Sequence, residues 1–196
     1  MDIPENWKTL LAAVREVLPD AVIGGGCLRD LDNGREVKDI DIFTSGANMR
    51  RLTNNRDELI EAGFDCDEID PDKLYPIGDG NDVVGHFDIL GGVGLPVQII
   101  VVNWPIARIV ERFDFGICWL AFDGETLTRP VEYDEDKRDK VFRLRRQRTN
   151  EEMVASVHRY ARLSRKYEGW RFALYEEDAF GTLASRPDYD HDDLLG

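Results

Sequence analysis

Asp39 and Asp41 stand two residues apart in the run Lys38-Asp39-Ile40-Asp41-Ile42-Phe43, and Gly24, Gly25 and Gly26 lie shortly before them with Arg29 and Asp30. On a strand, alternate side chains share a face, so both carboxylates point one way while Ile40 and Ile42 point to a core. The two Cα atoms are then roughly 6.5–7 Å apart. Carboxylates that close repel each other unless a cation lies between them. An all-oxygen donor set suits Mg²⁺ or Mn²⁺, which completes its shell with water and phosphate oxygens. The glycines supply the other half of such a site. A turn without side chains lets backbone N–H groups approach a phosphate, and Arg29 adds positive charge. Two familiar phosphate loops do not fit: Arg29 stands where the dinucleotide fingerprint needs its third glycine, and no Gly-Lys-Ser/Thr follows.

The elements that must position these residues are legible in outline. Trp7, Leu10, Leu11, Val14, Val17 and Leu18 recur at helical spacing and predict a helix over 5–18. A short buried strand at 21–23 runs into the glycines, a short helix follows over 27–31, and Asn33-Gly34 turns the chain into a strand over 38–44. A second helix is expected over 47–62, and the Asp-, Pro- and Gly-rich stretch 65–82 reads as loop. Two β-rich runs, 83–90 and 97–103, form a hairpin. Pro105 suits the first turn of a helix over 106–112, and a strand is expected over 115–122. Thr149 with Glu152 three residues later offers a capping box for a helix over 150–167. This order implies an α/β or α+β domain: a mixed sheet flanked by helices, with a C-terminal helical extension. The expected divisions are a catalytic-type domain over 1–130, a basic helical extension over 131–175 and an acidic flexible tail over 176–196.

The chain has 196 residues, 42% of them hydrophobic, enough for one well-packed domain. No apolar run reaches the length of a membrane span, and the first ten residues lack the features of a signal peptide. Cys27, Cys66 and Cys118 are scattered, which suggests reduced thiols, a cytoplasmic protein and no zinc site. The net charge is -14, which argues against a general nucleic-acid-binding surface. Yet residues 137–171 hold twelve Lys and Arg against four Asp and Glu, leaving +8 there and -22 elsewhere. One basic segment on an acidic body can direct an anionic ligand to one place.

Gly25-Gly26-Cys27-Leu28-Arg29-Asp30 followed by Asp39-Ile40-Asp41 resembles the DNA polymerase β-like nucleotidyltransferases, most closely the head domain of CCA-adding enzymes and bacterial poly(A) polymerases, with their G-G-x-V-R-D, spacer, D-x-D pattern. A second block, Arg112-Phe113-Asp114-Phe115-Gly116-Ile117-Cys118, is similar to the family's R-D-F-T-I-N-A strand with one extra residue. The resemblance spans about residues 20–130. It implies that Asp39 and Asp41 are catalytic and hold Mg²⁺ or Mn²⁺ on an NTP, that Gly25, Gly26 and Arg29 hold the triphosphate, and that Asp114 contacts sugar or supports the metal. The implied reaction moves a nucleoside monophosphate from an NTP to a hydroxyl on RNA, a small molecule or a protein, with the basic segment tilting the choice slightly toward RNA. At the place of a third carboxylate found in many relatives stands Gln98, with Asp88 or Asp114 as substitutes. The base-selecting E-D-x-x-R helix is not found at its expected place.

Other readings bound this one. A catalytically inactive member of the fold would bind a nucleotide or partner only, and a metal phosphohydrolase would release free nucleotide. The acidic run from Asp188 to Asp193 reads as a solvated tail, and His86 and His158 as isolated histidines. Val154, Val157, Ala161, Leu163 and Ser164 form an apolar stripe expected to pack on the sheet, with Arg159, Arg162, Arg165 and Lys166 opposite. Those basic side chains, and Arg143, Arg145, Arg146 and Arg148, are candidates to line the cleft. Tyr160, Tyr167, Trp170 and Phe172 are expected in a core, with base stacking as the alternative.

Overall fold

The computed structural model describes residues 1–48, 65–68, 83–90, 93–146 and 149–174. Helix α1 (Glu5–Val17) turns Trp7, Leu10, Leu11 and Val14 inward, and Arg15 Nη1 donates to the Ala21 carbonyl at 2.8 Å to hold its end against the next segment. Strand β1 (Val22–Gly24) leads through Gly25 into α2 (Gly26–Asp32), and β2 (Ile40–Ser45) follows. Strands β3 (Asp65–Glu68), β4 (Val83–Leu90) and β5 (Val97–Val102) form a meander, then come β6 (Ala121–Phe122) and β7 (Leu127–Thr128). These seven strands make one mixed sheet in the order β3-β4-β5-β2-β1-β6-β7, with β2 and β5 parallel and the other neighbours antiparallel.

One face of the sheet carries the main core. Ile23, Ile40, Ile42, Val97, Ile99 and Val101 pack there with α1 and α2. On the other face Phe43, Val102, Ile106, Ile109 and Val110 make a smaller cluster with Phe113 and Trp104 at its edge. Period-two alternation along β2 therefore does what the sequence implies, with Ile40 and Ile42 fully buried and Asp41 on the opposite side.

The C-terminal part contains α3 (Val131–Asp139), β8 (Val141–Leu144), α4 (Asn150–Leu163) and β9 (Arg171–Leu174). Thr149 Oγ1 accepts from the Glu152 N–H at 3.2 Å, the expected cap of α4. Alongside these helices runs a feature the sequence reading left out, a two-stranded parallel sheet of β8 and β9. Phe142 sits among Phe115, Tyr160, Tyr167 and Trp170, with ring centroids 5.3–5.6 Å apart, so these aromatics are core residues.

Three local expectations change. The helix foreseen over 106–112 is a pair of 3₁₀ turns, Ile106–Arg108 and Val110–Arg112, closed by three-residue hydrogen bonds such as Arg108 N to Pro105 O at 3.0 Å. The strand foreseen over 115–122 is a 3₁₀ turn at Gly116–Cys118 followed by only the two residues of β6. Gly116 explains the turn: a Cβ there would lie 2.5 Å from Asp136 Oδ2 and 2.7 Å from Arg145 Cδ, so the backbone is pressed onto a buried ion pair. Within the stretch read as loop, Asp65–Glu68 is a strand, β3, paired to β4. The helix foreseen over 47–62 lies almost wholly outside the described residues, as do Arg148 and the tail beyond 174.

Candidate active site

Asp39 precedes β2 and is exposed; Asp41 is the second residue of β2 and half-buried. Both line a cleft of about 530 Å³ on the sheet face opposite α1. Burial and the neighbouring Asp39 charge push the Asp41 carboxyl up to about 7, against the pull of Arg159 and Arg29. Two carboxylates that resist joint ionisation, with only oxygen to offer, fit a hard divalent cation. Among the described residues no group of three His, Cys, Asp or Glu gathers to hold a metal. Next to Asp41 on the parallel strand β5 is Gln98, in register with it, and Gln98 also lines the cleft.

Gly25 and Gly26 line the cleft at the turn between β1 and α2. Gly25 has φ +73°, a conformation that side chains disfavour, and a Cβ there would also meet Phe113 Cζ at 3.3 Å. Its N–H is taken by the Leu120 carbonyl at 3.0 Å. Gly26 opens α2, so its N–H stands outside the helix's own ladder. Arg29, one turn on, is nearly buried yet borders the cleft. Its guanidinium donates to Asp30 Oδ1 from Nε at 2.8 Å and from Nη2 at 2.7 Å, and to Cys118 Sγ from Nη1 at 3.2 Å. Tyr167 Oη and Lys166 Nζ in turn bind Asp30. Asp30 is thus the anchor of an ion pair that stiffens the turn, and residues from beyond α4 complete it.

Asp114 lies in the loop before the Gly116–Cys118 turn and borders the cleft. Its Oδ1 accepts from its neighbour's backbone, Phe115 N–H, at 2.9 Å and pairs with Arg159 Nη1 at 2.9 Å; its Oδ2 accepts from Ser156 Oγ at 2.8 Å. Asp114 therefore docks α4 onto the rest of the domain while keeping one Oδ2 lone pair for a further donor. Basic side chains border much of the cleft: Lys38, Arg112, Arg146, Arg159, Arg162 and Lys166 all line it, with Arg159 paired to Asp114 and Lys166 to Asp30.

Of the arginine runs flagged as candidates, Arg159, Arg162, Lys166 and Arg146 reach the cleft. Arg143 and Arg145 instead pair with Asp136 at 2.9 and 2.8 Å, a buried brace between β8 and α3. Of the apolar stripe expected to pack on the sheet domain only Leu163 is buried; Val154 and Val157 are 54% and 42% exposed and Ala161 is exposed. Met153, Tyr160 and Leu163 pack on the core, and Glu152, Ser156 and Arg159 line the cleft. Ser156, Lys38 and Trp104 are cleft residues with no role foreseen from sequence, and Arg112, foreseen only as the head of the second block, lines the cleft too. Lys38 had a usable signal, a cation directly before Asp39. Trp104, with Arg112 stacked 4.6 Å over its ring, had none.

No family model and no curated protein matches the sequence. Solved structures do match. A tRNA-processing enzyme superposes with a TM-score of 0.65 at 19% identity, over 95% of this chain and 50% of that one. The Bacillus stearothermophilus CCA-adding enzyme in complex with CTP gives 0.58 at 20% identity, over 87% and 42%. The Thermotoga maritima CCA-adding enzyme complexed with tRNA gives 0.56 at 19%, over 91% and 41%. The chain thus has the nucleotidyltransferase fold of the CCA-adding enzymes, and it spans half or less of the length of these structures. No helix among the described residues is long and apolar enough to cross a membrane.

Proposed function

We propose that this chain is a metal-dependent nucleotidyltransferase, moving a nucleoside monophosphate from an NTP to a hydroxyl acceptor. One observation carries the reading: Asp39 and Asp41 line one cleft together with Lys38, Arg112, Arg146, Arg159, Arg162 and Lys166. A pair of carboxylates beside several basic side chains is the charge pattern that a polyphosphate with its cation would complete. Proteins of this fold are seen with CTP and with tRNA.

Asp39 and Asp41 would hold the cation, which here would be Mg²⁺ or Mn²⁺. Bound there, it would lower the pKa of an acceptor hydroxyl and offset charge on the departing pyrophosphate. Arg29, locked by Asp30, Tyr167 and Cys118, presents fixed positive charge beside Asp41 without needing to reorganise. The Gly25–Gly26 turn keeps the approach clear of side chains. Asp114 offers its remaining lone pair to a sugar hydroxyl while holding α4 through Ser156 and Arg159. The basic side chains along the cleft favour RNA as acceptor, against the acidic body of the molecule.

A second reading, a nucleotide-binding module that performs no transfer, is favoured by Gln98 beside Asp41 where a third carboxylate would otherwise stand. Incubating the protein with each α-labelled NTP, Mg²⁺ or Mn²⁺, total RNA and soluble protein separates the two. Label joining RNA or protein with the parent but not with Asp41→Asn supports transfer and names the acceptor class. No label, with NTP and Mn²⁺ still raising the melting temperature, supports the binding module.

A further inference from the structure

Strand β5 lies between β2 and β4, and Gln98 is in register with Asp41 on one side and Asp88 on the other. In-register residues project from the same face, so Asp88, Gln98 and Asp41 form a row across neighbouring strands about 4.8 Å apart. The middle member has two unlike ends, an amide NH₂ that only donates and a carbonyl that only accepts. An ionised carboxylate only accepts. Gln98 Nε2 donates to Asp88 Oδ1 at 3.1 Å. That bond assigns the amide: its nitrogen meets Asp88 on β4, so Oε1 is the end turned from that carboxylate, in a side chain that borders the cleft. The reverse orientation would set two acceptor oxygens against each other.

We propose that Gln98 supplies a neutral third oxygen to the cation held by Asp39 and Asp41, and that Asp88 is the positioning residue that turns its amide to do so. The inference rests on the cation site of the proposed function and gives Gln98 a role in it. Gln98 borders the cleft and Asp88 does not, so Asp88 acts through its neighbour. Amide carbonyls are accepted ligands of hard cations. Two carboxylates and one amide leave the donor set at -2, equal and opposite to one divalent ion; a glutamate at 98 would make it -3. Gln98 then sets the strength of cation binding and is no sign of a decayed site.

Mn²⁺ titration of the full chain, followed by the paramagnetic resonance signal of the free ion, tests this without any need for turnover. Gln98→Leu and Asp88→Ala are each expected to weaken Mn²⁺ binding by about tenfold or more, the usual cost of losing a ligand's support. Asp88→Asn keeps an acceptor oxygen for the same bond and should restore affinity to near the parent's, which a merely structural role for the charge would not explain. Gln98→Glu should tighten binding by about tenfold through its added charge. Parent-like Mn²⁺ affinity in Gln98→Leu, or unchanged affinity in Gln98→Glu, overturns the proposal and leaves the two-aspartate site standing. Absence of Mn²⁺ binding by the parent overturns both together.

Discussion

At the scale of single residues, the Asp41 carboxyl is where the site's demand for a cation can be measured. Folded, it keeps its proton up to about pH 7, through burial and the Asp39 charge; unfolded, it ionises at the ordinary 3.8. Folding therefore takes up a proton between those values. The contribution is fully present below about pH 3.8 and is lost as the pH rises through about 7, with a slope no steeper than about 1.4 kcal/mol per pH unit. In EDTA, denaturant melts from pH 4 to 8 should show this decline, and Asp39→Asn should flatten it by removing the repelling charge. Saturating Mn²⁺ should oppose the decline, since the ion binds the ionised pair; an identical pH profile with and without Mn²⁺ would count against the site. The side taken by Asp41 was readable from sequence because β2 obeys the strand alternation, with Ile40 and Ile42 marking the buried side; Asp39, one residue before β2, lines the same cleft. The company they keep was less readable: Ser156, Arg159 and Lys166 reach the cleft from more than a hundred residues away, and no local pattern announces which face of a distant helix will arrive there.

At the scale of elements, α4 shows why. Apolar Val154, Val157 and Ala161 fall at helical spacing and point to a buried stripe by the usual reasoning. The inward arc of α4 is a different one: Met153, Tyr160 and Leu163 pack on the main core, Ser156 and Arg159 on the same side meet Asp114, and the valines face out. The rule missed because polar Ser156 and Arg159 interrupt the apolar pattern on the buried side. The 3₁₀ turn at Gly116–Cys118 has a similar cause, for it is shaped by the buried Asp136–Arg145 pair, whose members come from α3 and the end of β8. Gly116→Ala is accordingly expected to destabilise the protein by about 1–3 kcal/mol, the usual cost of overpacking. Urea unfolding would check this, and an unchanged midpoint would show that the pair can move aside. By contrast α1, β1, α2, β4 and β5 were legible, because each rests on local pattern: helical spacing of Trp7, Leu10, Leu11 and Val14, glycines at a turn, and β-rich runs joined by a short link.

At the scale of the whole molecule, the charge is divided, with a net -14 over the chain and basic side chains along one cleft. If these meet the phosphates of a single-stranded RNA acceptor, binding should weaken with salt by a log–log slope near 0.7 per phosphate engaged. Arg162→Ala and Lys38→Ala should each lower that slope by roughly 0.7, as read by fluorescence anisotropy with a labelled oligonucleotide. A slope near zero in the parent would turn the search to small acceptors. The central claim concerns chemistry, and following both ends of one NTP tests it most directly. With α- and γ-label on the same nucleotide, Mn²⁺ and RNA, the account predicts α-label joined to the acceptor and γ-label released as pyrophosphate, both abolished in Asp41→Asn. Release of α-label as free nucleoside monophosphate, with none on the acceptor, would contradict transfer and make the protein a hydrolase.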